Sequence, residues 1–212
     1  MPSTDAYLQC LAGNKAWAFD INSRDQDFFP TCSKGQAPQI LWIGCADSRC
    51  PETTILQCKP GEVFTHRNIA NIVNDTDISL LSIVQFAVFH LKVKHIVVAG
   101  HTCCGGVTAS LANAKLDVLD IWLQPLRELR EKFADELEAI DTVDRTTFLA
   151  RKNVLAGMAT LKRMPIVIDA IKERGLELHG VLYCLDKGVL EELSEAEDEK
   201  DNARRLQVYA RR

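Results

Sequence analysis

No stretch of this chain is apolar for long enough to cross a membrane, and no block of Lys and Arg is dense enough to track a nucleic-acid backbone. The 25 basic and 29 acidic residues are interspersed, so neither a nucleic acid nor a membrane surface is an expected partner. The stretch from Met1 to Tyr7 lacks the basic and then apolar regions of a signal peptide, and it lacks the Arg-rich, acid-poor character of a transit peptide. The expected location is therefore cytoplasmic, with an organellar form that has shed a presequence as the alternative. No repeat period and no low-complexity linker appears, which excludes solenoids and beads on a string. The eight cysteines show neither the spacing of a small secreted disulfide framework nor a Cys-x-x-Cys redox pair. At 212 residues the chain can bury a full core without such staples.

What is present is a pair of apolar runs that each end in soft metal ligands. Ile40 to Gly44 leads into Cys45-Ala46-Asp47-Ser48-Arg49, and His95 to Gly100 leads into His101-Thr102-Cys103-Cys104-Gly105-Gly106. Continuous apolar character suits strands buried on both faces of a parallel sheet, and ligands gather at the carboxyl ends of such strands. Two thiols and an imidazole placed there suit tetrahedral zinc, with Cys45, His101 and Cys104 as ligands. A fourth position is left for water or for Asp47, as a catalytic site requires. Residues three apart share a face where the chain enters a helix, which favours Cys104 over Cys103 as the partner of His101. Cys10, Cys32, Cys50, Cys58 and Cys184 read as ordinary reduced cysteines.

Along the chain, Asp5 to Phe19 has helical spacing, with Leu8, Leu11, Trp17 and Phe19 toward one side, and Asn22 to Pro38 reads as loop. Pro51 opens a short helix through Leu56, Glu62 to His66 is a second strand, and Asp77 to Leu91 is an amphipathic helix. Leu116 to Ile140 is helical. Thr146 to Arg174 is one long helix or two divided at Pro165, with Gly175 as its stop. Neither of these two stretches shows chemistry. Leu178 to Leu182 is a further strand, and Glu191 to Arg212 reads as a solvated helix or a partly mobile tail.

Cys45-x-Asp47-x-Arg49 with His101-x-x-Cys104, the run Arg67-Asn68-Ile69-Ala70-Asn71 and the trailing Gly105-Gly106 resemble the signature of the β-class carbonic anhydrases. The resemblance runs from about Gln36 through Tyr183. It implies an α/β fold with a parallel-centred sheet flanked by helices, and an N-terminal helical arm that reaches across to a second subunit. The expected organisation is a single domain over 1–212, with arm and loop at 1–35, catalytic core at 36–189 and tail at 190–212. It implies a homodimer or a dimer of dimers and one Zn2+ per chain on Cys45, His101 and Cys104. Asp47 and Arg49 match the family's catalytic carboxylate and guanidinium. Gln36, Phe64, Ile69, Phe86 and Gly105 match positions that line the substrate pocket, with Gly105 presenting its backbone amide. Phe86 departs from members that carry Tyr there, so one hydroxyl is missing. Trp42, Arg67 and Tyr183 are similar to a set that binds bicarbonate at a regulatory site in some bacterial members.

The implied reaction is CO2 + H2O ⇌ HCO3⁻ + H⁺, with zinc acidifying water. Two thiolates cancel the metal's charge, so the pocket must favour hydroxide by other means. Asp47 can accept a hydrogen bond from the attacking group, and Arg49 can hold Asp47 ionised through a bidentate pair. His66 reads either as a proton shuttle or as an ordinary hydrogen-bonded strand residue. Trp42 alone reads as core, and Arg67 at a strand end needs an anion or a carboxylate. Three other readings stand beside this one: a non-enzymatic zinc scaffold, a thiol redox module through Cys103 and Cys104, and a relative that hydrolyses CS2 or COS.

Overall fold

The computed structural model describes residues 5–193 and 199–210. These fall into two compact units, one up to Ala37 and one from Pro38 onward. In the first, α1 (Ala6–Arg24) is capped by the Asp5 carboxylate, which accepts from the Leu8 amide at 3.0 Å. A second helix, α2 (Phe28–Cys32), lies inside the stretch expected to be loop. It forms because Trp17 of α1 packs edge-on against Phe29, with centroids 5.5 Å apart, and this tertiary contact overrides the weak local pattern. No residue of α1 is buried.

The second unit is a five-stranded sheet in the order β2-β1-β3-β4-β5. β1 (Ile40–Cys45), β2 (Val63–Asn68), β3 (His95–His101) and β4 (Glu177–Cys184) are parallel, and β5 (Val189–Leu193) is antiparallel to β4. This is the parallel-centred α/β sheet expected from the motifs. Leu41, Ile43, Ile96, Val98 and Leu182 alternate along their strands with period two and are fully buried. The helix α9 (Thr142–Leu161) runs along β3 and β4. Its close approach depends on missing side chains. A Cβ on Gly100 would lie 2.8 Å from Val154, and one on Gly180 would lie 2.9 Å from the same residue.

Local chemistry sets the element ends. Asp77 caps α4 (Ile78–Gln85), accepting from the Ser79 amide at 2.9 Å. The helix expected to reach Leu91 instead widens into a π turn over Phe86–His90. Between β1 and β2 lies α3 (Glu52–Ile55), with Pro51 at its N-cap. After β3 come α5 (Gly105–Leu111) and then three short helices where one helical stretch was expected: α6 (Val118–Trp122), α7 (Gln124–Lys132) and α8 (Ala134–Glu138). Pro165 does divide α9 from α10 (Pro165–Arg174), and Gly175 ends α10 with left-handed backbone at φ 70°.

The tail expectation needs correction at its start, because Glu191 and Glu192 belong to β5 rather than to a solvated helix. As an edge strand it tolerates charge on its open side, and Arg151 of α9 clamps Glu191 with two bonds of 2.7 and 2.6 Å. The end of the tail is helical, as α11 (Glu199–Tyr209); residues 194–198 and 211–212 lie outside the described residues.

Candidate metal centre

β1 and β3 are adjacent and parallel, so their carboxyl ends deliver Cys45 and His101 side by side. Past His101 the backbone turns through Cys103, which has left-handed φ of 56° and stays exposed. Cys104 then sits buried at the N-cap of α5. The sulfurs of Cys45 and Cys104 and a ring nitrogen of His101 all lie within 4.8 Å of one another.

The donors suit a borderline metal ion. His101 Nδ1 lies 2.9 Å from the Thr102 carbonyl and donates to it, which leaves Nε2 facing the sulfurs, to carry a proton there or to bind a metal in its place. That Nε2 is buried and has no hydrogen-bond partner. A buried ring nitrogen left unmatched is costly, and a metal ion is one partner that would meet it. The thiols are already polarised. The Cys104 thiol, against the opposing effect of burial, holds Cys45 down to about 4. Cys104 is pushed far up by the Cys45 sulfur and by burial. Burial pulls His101 down, yet the sulfurs of Cys45 and Cys50 outweigh it and raise the imidazole to about 10. A thiolate, a second thiol and an imidazole thus face one another as a set of soft donors, a fit for zinc once the metal displaces the remaining protons.

Beside the cluster, Arg49 grips Asp47 through both carboxylate oxygens, with Nε to Oδ1 at 2.9 Å and Nη2 to Oδ2 at 2.7 Å. The Arg49 backbone amide adds a third bond to Oδ1 at 2.9 Å. These bonds hold the Asp47 carboxyl well below the usual carboxylate range. Asp47 Oδ2 remains 3.8 Å from His101 Nε2, so the carboxylate borders the cluster while bound to Arg49. Arg49 also donates to the Cys103 carbonyl at 3.2 Å, which ties the two ligand loops together.

Arg67 has a role that its sequence context did not reveal. Its Nε donates to the Cys45 carbonyl at 2.8 Å and its Nη2 to the Asp47 carbonyl at 2.6 Å. Glu52 lies 3.7 Å from Nη1. Trp42 and Tyr183 stand on the same sheet face by register, but Arg67 on β2 and Tyr183 on β4 are three strand spacings apart, roughly 14 Å. The Trp42 indole lies over Gly44, where any Cβ would collide with it.

The turn after β2 is the other wall. Ala70 and Asn71 are left-handed, with φ of 61° and 45°, an unfavourable state for residues with a Cβ. Three side chains hold it. Asn68 accepts from the Ile72 amide and donates to its carbonyl, both at 2.8 Å. Asn153 of α9 donates to the Ala70 carbonyl at 2.8 Å, and the Trp122 indole donates to the Ile69 carbonyl at 2.9 Å. Neither Asn153 nor Trp122 carried a sequence signal, because both act on a turn distant in the chain. Gly106 permits the turn's approach, since a Cβ there would lie 3.0 Å from Ala70 and Ile69 side chains.

Of the expected pocket residues, Phe64 and Phe86 stack with centroids 5.7 Å apart. Ile69 is partly exposed on the turn, and Gly105 opens α5 with free space where a Cβ would stand. Gln36 is exposed and belongs to the N-terminal unit. His66 is buried, and its Nε2 accepts from Asn68 Nδ2 at 3.3 Å.

The carbonic anhydrase family model matches residues 40–190. A carbonic anhydrase of Candida albicans is 41% identical over 202 residues, covering 93% of this chain and 72% of that protein. The crystal structure of a β-carbonic anhydrase from Aspergillus fumigatus is 46% identical and covers 98% of this chain and all of its own, with a TM-score of 0.96. One of two tetrameric β-carbonic anhydrases from Sordaria macrospora is 48% identical, covers 91% of this chain and 98% of its own, and has a TM-score of 0.88.

Proposed function

The chain belongs to the β-class carbonic anhydrases, and on that premise we propose that it hydrates carbon dioxide reversibly at a zinc ion held by Cys45, His101 and Cys104. The observation that carries the reading is the convergence of those three donors beside an Asp47 already gripped by Arg49, with acceptor capacity left on Oδ2. A zinc ion there supplies a Lewis acid that brings the pKa of water toward neutrality. The protein's own groups do the rest. Asp47, kept ionised by Arg49, accepts a hydrogen bond from the attacking water and aims its lone pair at carbon. Ile69, close to Gly106, offers an apolar side chain near the cluster, and Gly105 leaves open space beside its amide. The stacked Phe64 and Phe86 lie farther back, where Phe64 is in register with Leu41, four residues before Cys45. Arg67 keeps the Cys45–Asp47 backbone in register with the cluster.

Self-association is part of the same reading. The Sordaria relatives are tetrameric, and α1 exposes Tyr7, Leu8, Leu11, Trp17 and Phe19 along about 28 Å of helix. Exposed apolar side chains in that number suit contact with a second copy of the chain.

The test is CO2 hydration by stopped flow in wild type and Asp47→Asn, with zinc content measured in both. Loss of roughly 10²–10⁴-fold in turnover with zinc retained is the expected result. Full activity in zinc-free protein, or in Asp47→Asn, would overturn the reading.

A further inference from the structure

At the opposite end of the sheet lies a second group of metal donors. β3 begins with His95 and β4 with Glu177, and the register sets these two side by side. His179, two residues along β4, points to the same face. His95 Nδ1 is 3.1 Å from His179 Nε2, and Glu177 Oε2 is 3.5 Å from each of those nitrogens. We propose that His95, His179 and Glu177 form a second, exchangeable site for a borderline divalent cation of the zinc class.

The triangle of donor atoms is the main argument. Around a tetrahedral ion with bonds of about 2.0–2.1 Å, neighbouring donor atoms stand about 3.3 Å apart. Sides of 3.1, 3.5 and 3.5 Å meet that spacing without movement of the strands. A proton satisfies the group less well. It can bridge the two imidazoles, but a carboxylate at 3.5 Å from both is outside good hydrogen-bond range. A cation in the triangle engages all three at once.

The surroundings agree. Two imidazoles and a carboxylate suit zinc and its neighbours rather than calcium or magnesium, which prefer all-oxygen shells. Glu192 of β5 places Oε1 3.5 Å from His179 Nδ1, the ring nitrogen left over, where a carboxylate orients a metal-bound imidazole. The side chains of His95, His179 and Glu177 are 36, 30 and 62% exposed, so an ion enters from solvent and water completes its shell. β3 spans about 20 Å between His95 and His101, so this site is separate from the Cys45 cluster. An ion here would clamp β3 to β4 and, through Glu192, steady the edge strand.

The experiment uses full-length zinc-loaded protein. After equilibrium dialysis against zinc, wild type is expected to hold a second equivalent per chain that His95→Gln and His179→Gln do not. Both variants are expected to keep the first equivalent and CO2 hydration, which also shows that they fold. Cobalt(II) added to zinc-loaded wild type should give d–d absorption without a thiolate charge-transfer band, and should raise the melting temperature. Absence of those bands at saturating cobalt, or a second zinc equivalent that survives in both variants, overturns the proposal. Neither outcome depends on whether the Cys45 cluster hydrates CO2.

Discussion

The guanidinium of Arg67 lies against the backbone of Asp47, donating from Nη2 to its carbonyl oxygen at 2.6 Å. The same side chain donates from Nε to the Cys45 carbonyl two residues earlier. One rigid fork therefore spans the loop that carries a proposed zinc ligand at one end and the proposed catalytic carboxylate at the other.

This relationship predicts that Arg67→Met weakens zinc binding by roughly 10–100-fold, the usual effect of losing a group that orients a ligand. Arg67→Lys should recover little, because an ammonium cannot reproduce the two-pronged geometry. Competition against a chromophoric chelator measures both. Tyr183→Phe, on β4 and distant from the loop, should leave zinc affinity unchanged. Equal weakening by Tyr183→Phe would mean that zinc affinity also depends on β4, where Tyr183 is the register partner of His101, and not on the Arg67 fork alone.

The two adjacent cysteines should behave oppositely. Cys104 is buried among the donors, whereas Cys103 is exposed on a left-handed turn. Cys104→Ser is expected to abolish zinc binding and CO2 hydration, and Cys103→Ser to leave both near wild type. Metal analysis and stopped-flow assay on the two purified variants decide it; the reverse pattern would move the ligand assignment by one residue.

How much of this was legible follows from what each residue needs. Ile40 to Gly44 and His95 to Gly100 could be read as strands because their apolar runs carry their own signal, and the candidate ligands follow them directly in the chain. Pro165 and Gly175 mark helix ends by backbone chemistry alone. Other features depend on partners far along the chain. Glu191 and Glu192 look like a solvated tail until Arg151 and β4 are brought beside them. Asn153 is one polar residue in a charged helix until folding presents it with the Ala70 carbonyl. Arg67 announced that it needed an anion or a carboxylate, and Glu52 stands 3.7 Å away, but its two short bonds go to main-chain carbonyls, which no side-chain pattern displays.

The exposed apolar side chains of α1 predict that assembly depends on the arm. Phe19 is 79% exposed and Tyr7 70%, values that a free surface helix seldom combines with Trp17 and two leucines. Deleting the residues before Asn22 is expected to shift the protein to smaller species by light scattering and to lower CO2 hydration in parallel. A monomer from that deletion with full activity would separate assembly from catalysis.

The last prediction concerns acid stability and rests on His66. This imidazole is buried in β2, and burial lowers its pKa from the ordinary 6.5, with Asp77 opposing weakly. The hydrogen bonding points the same way. The Asn68 amide is fixed by its two bonds to Ile72, so its NH2 group must face His66 Nε2. Protonating that nitrogen would set donor against donor. The folded state therefore resists a proton that the unfolded chain accepts below about pH 6.5. Where the unfolded state binds more protons, stability rises with pH. Stability should thus be complete above the unfolded value and decline as pH falls below it, levelling once the folded imidazole also protonates. Chemical denaturation of the zinc-loaded protein between about pH 5 and 8 should show this decline, and His66→Gln should flatten it in that window. Glutamine keeps a polar group that can accept from Asn68 but takes up no proton, so subtracting the two curves isolates the His66 contribution from the acid lability of the metal ligands. Parallel curves for the two proteins would mean that His66 is as easily protonated in the fold as outside it.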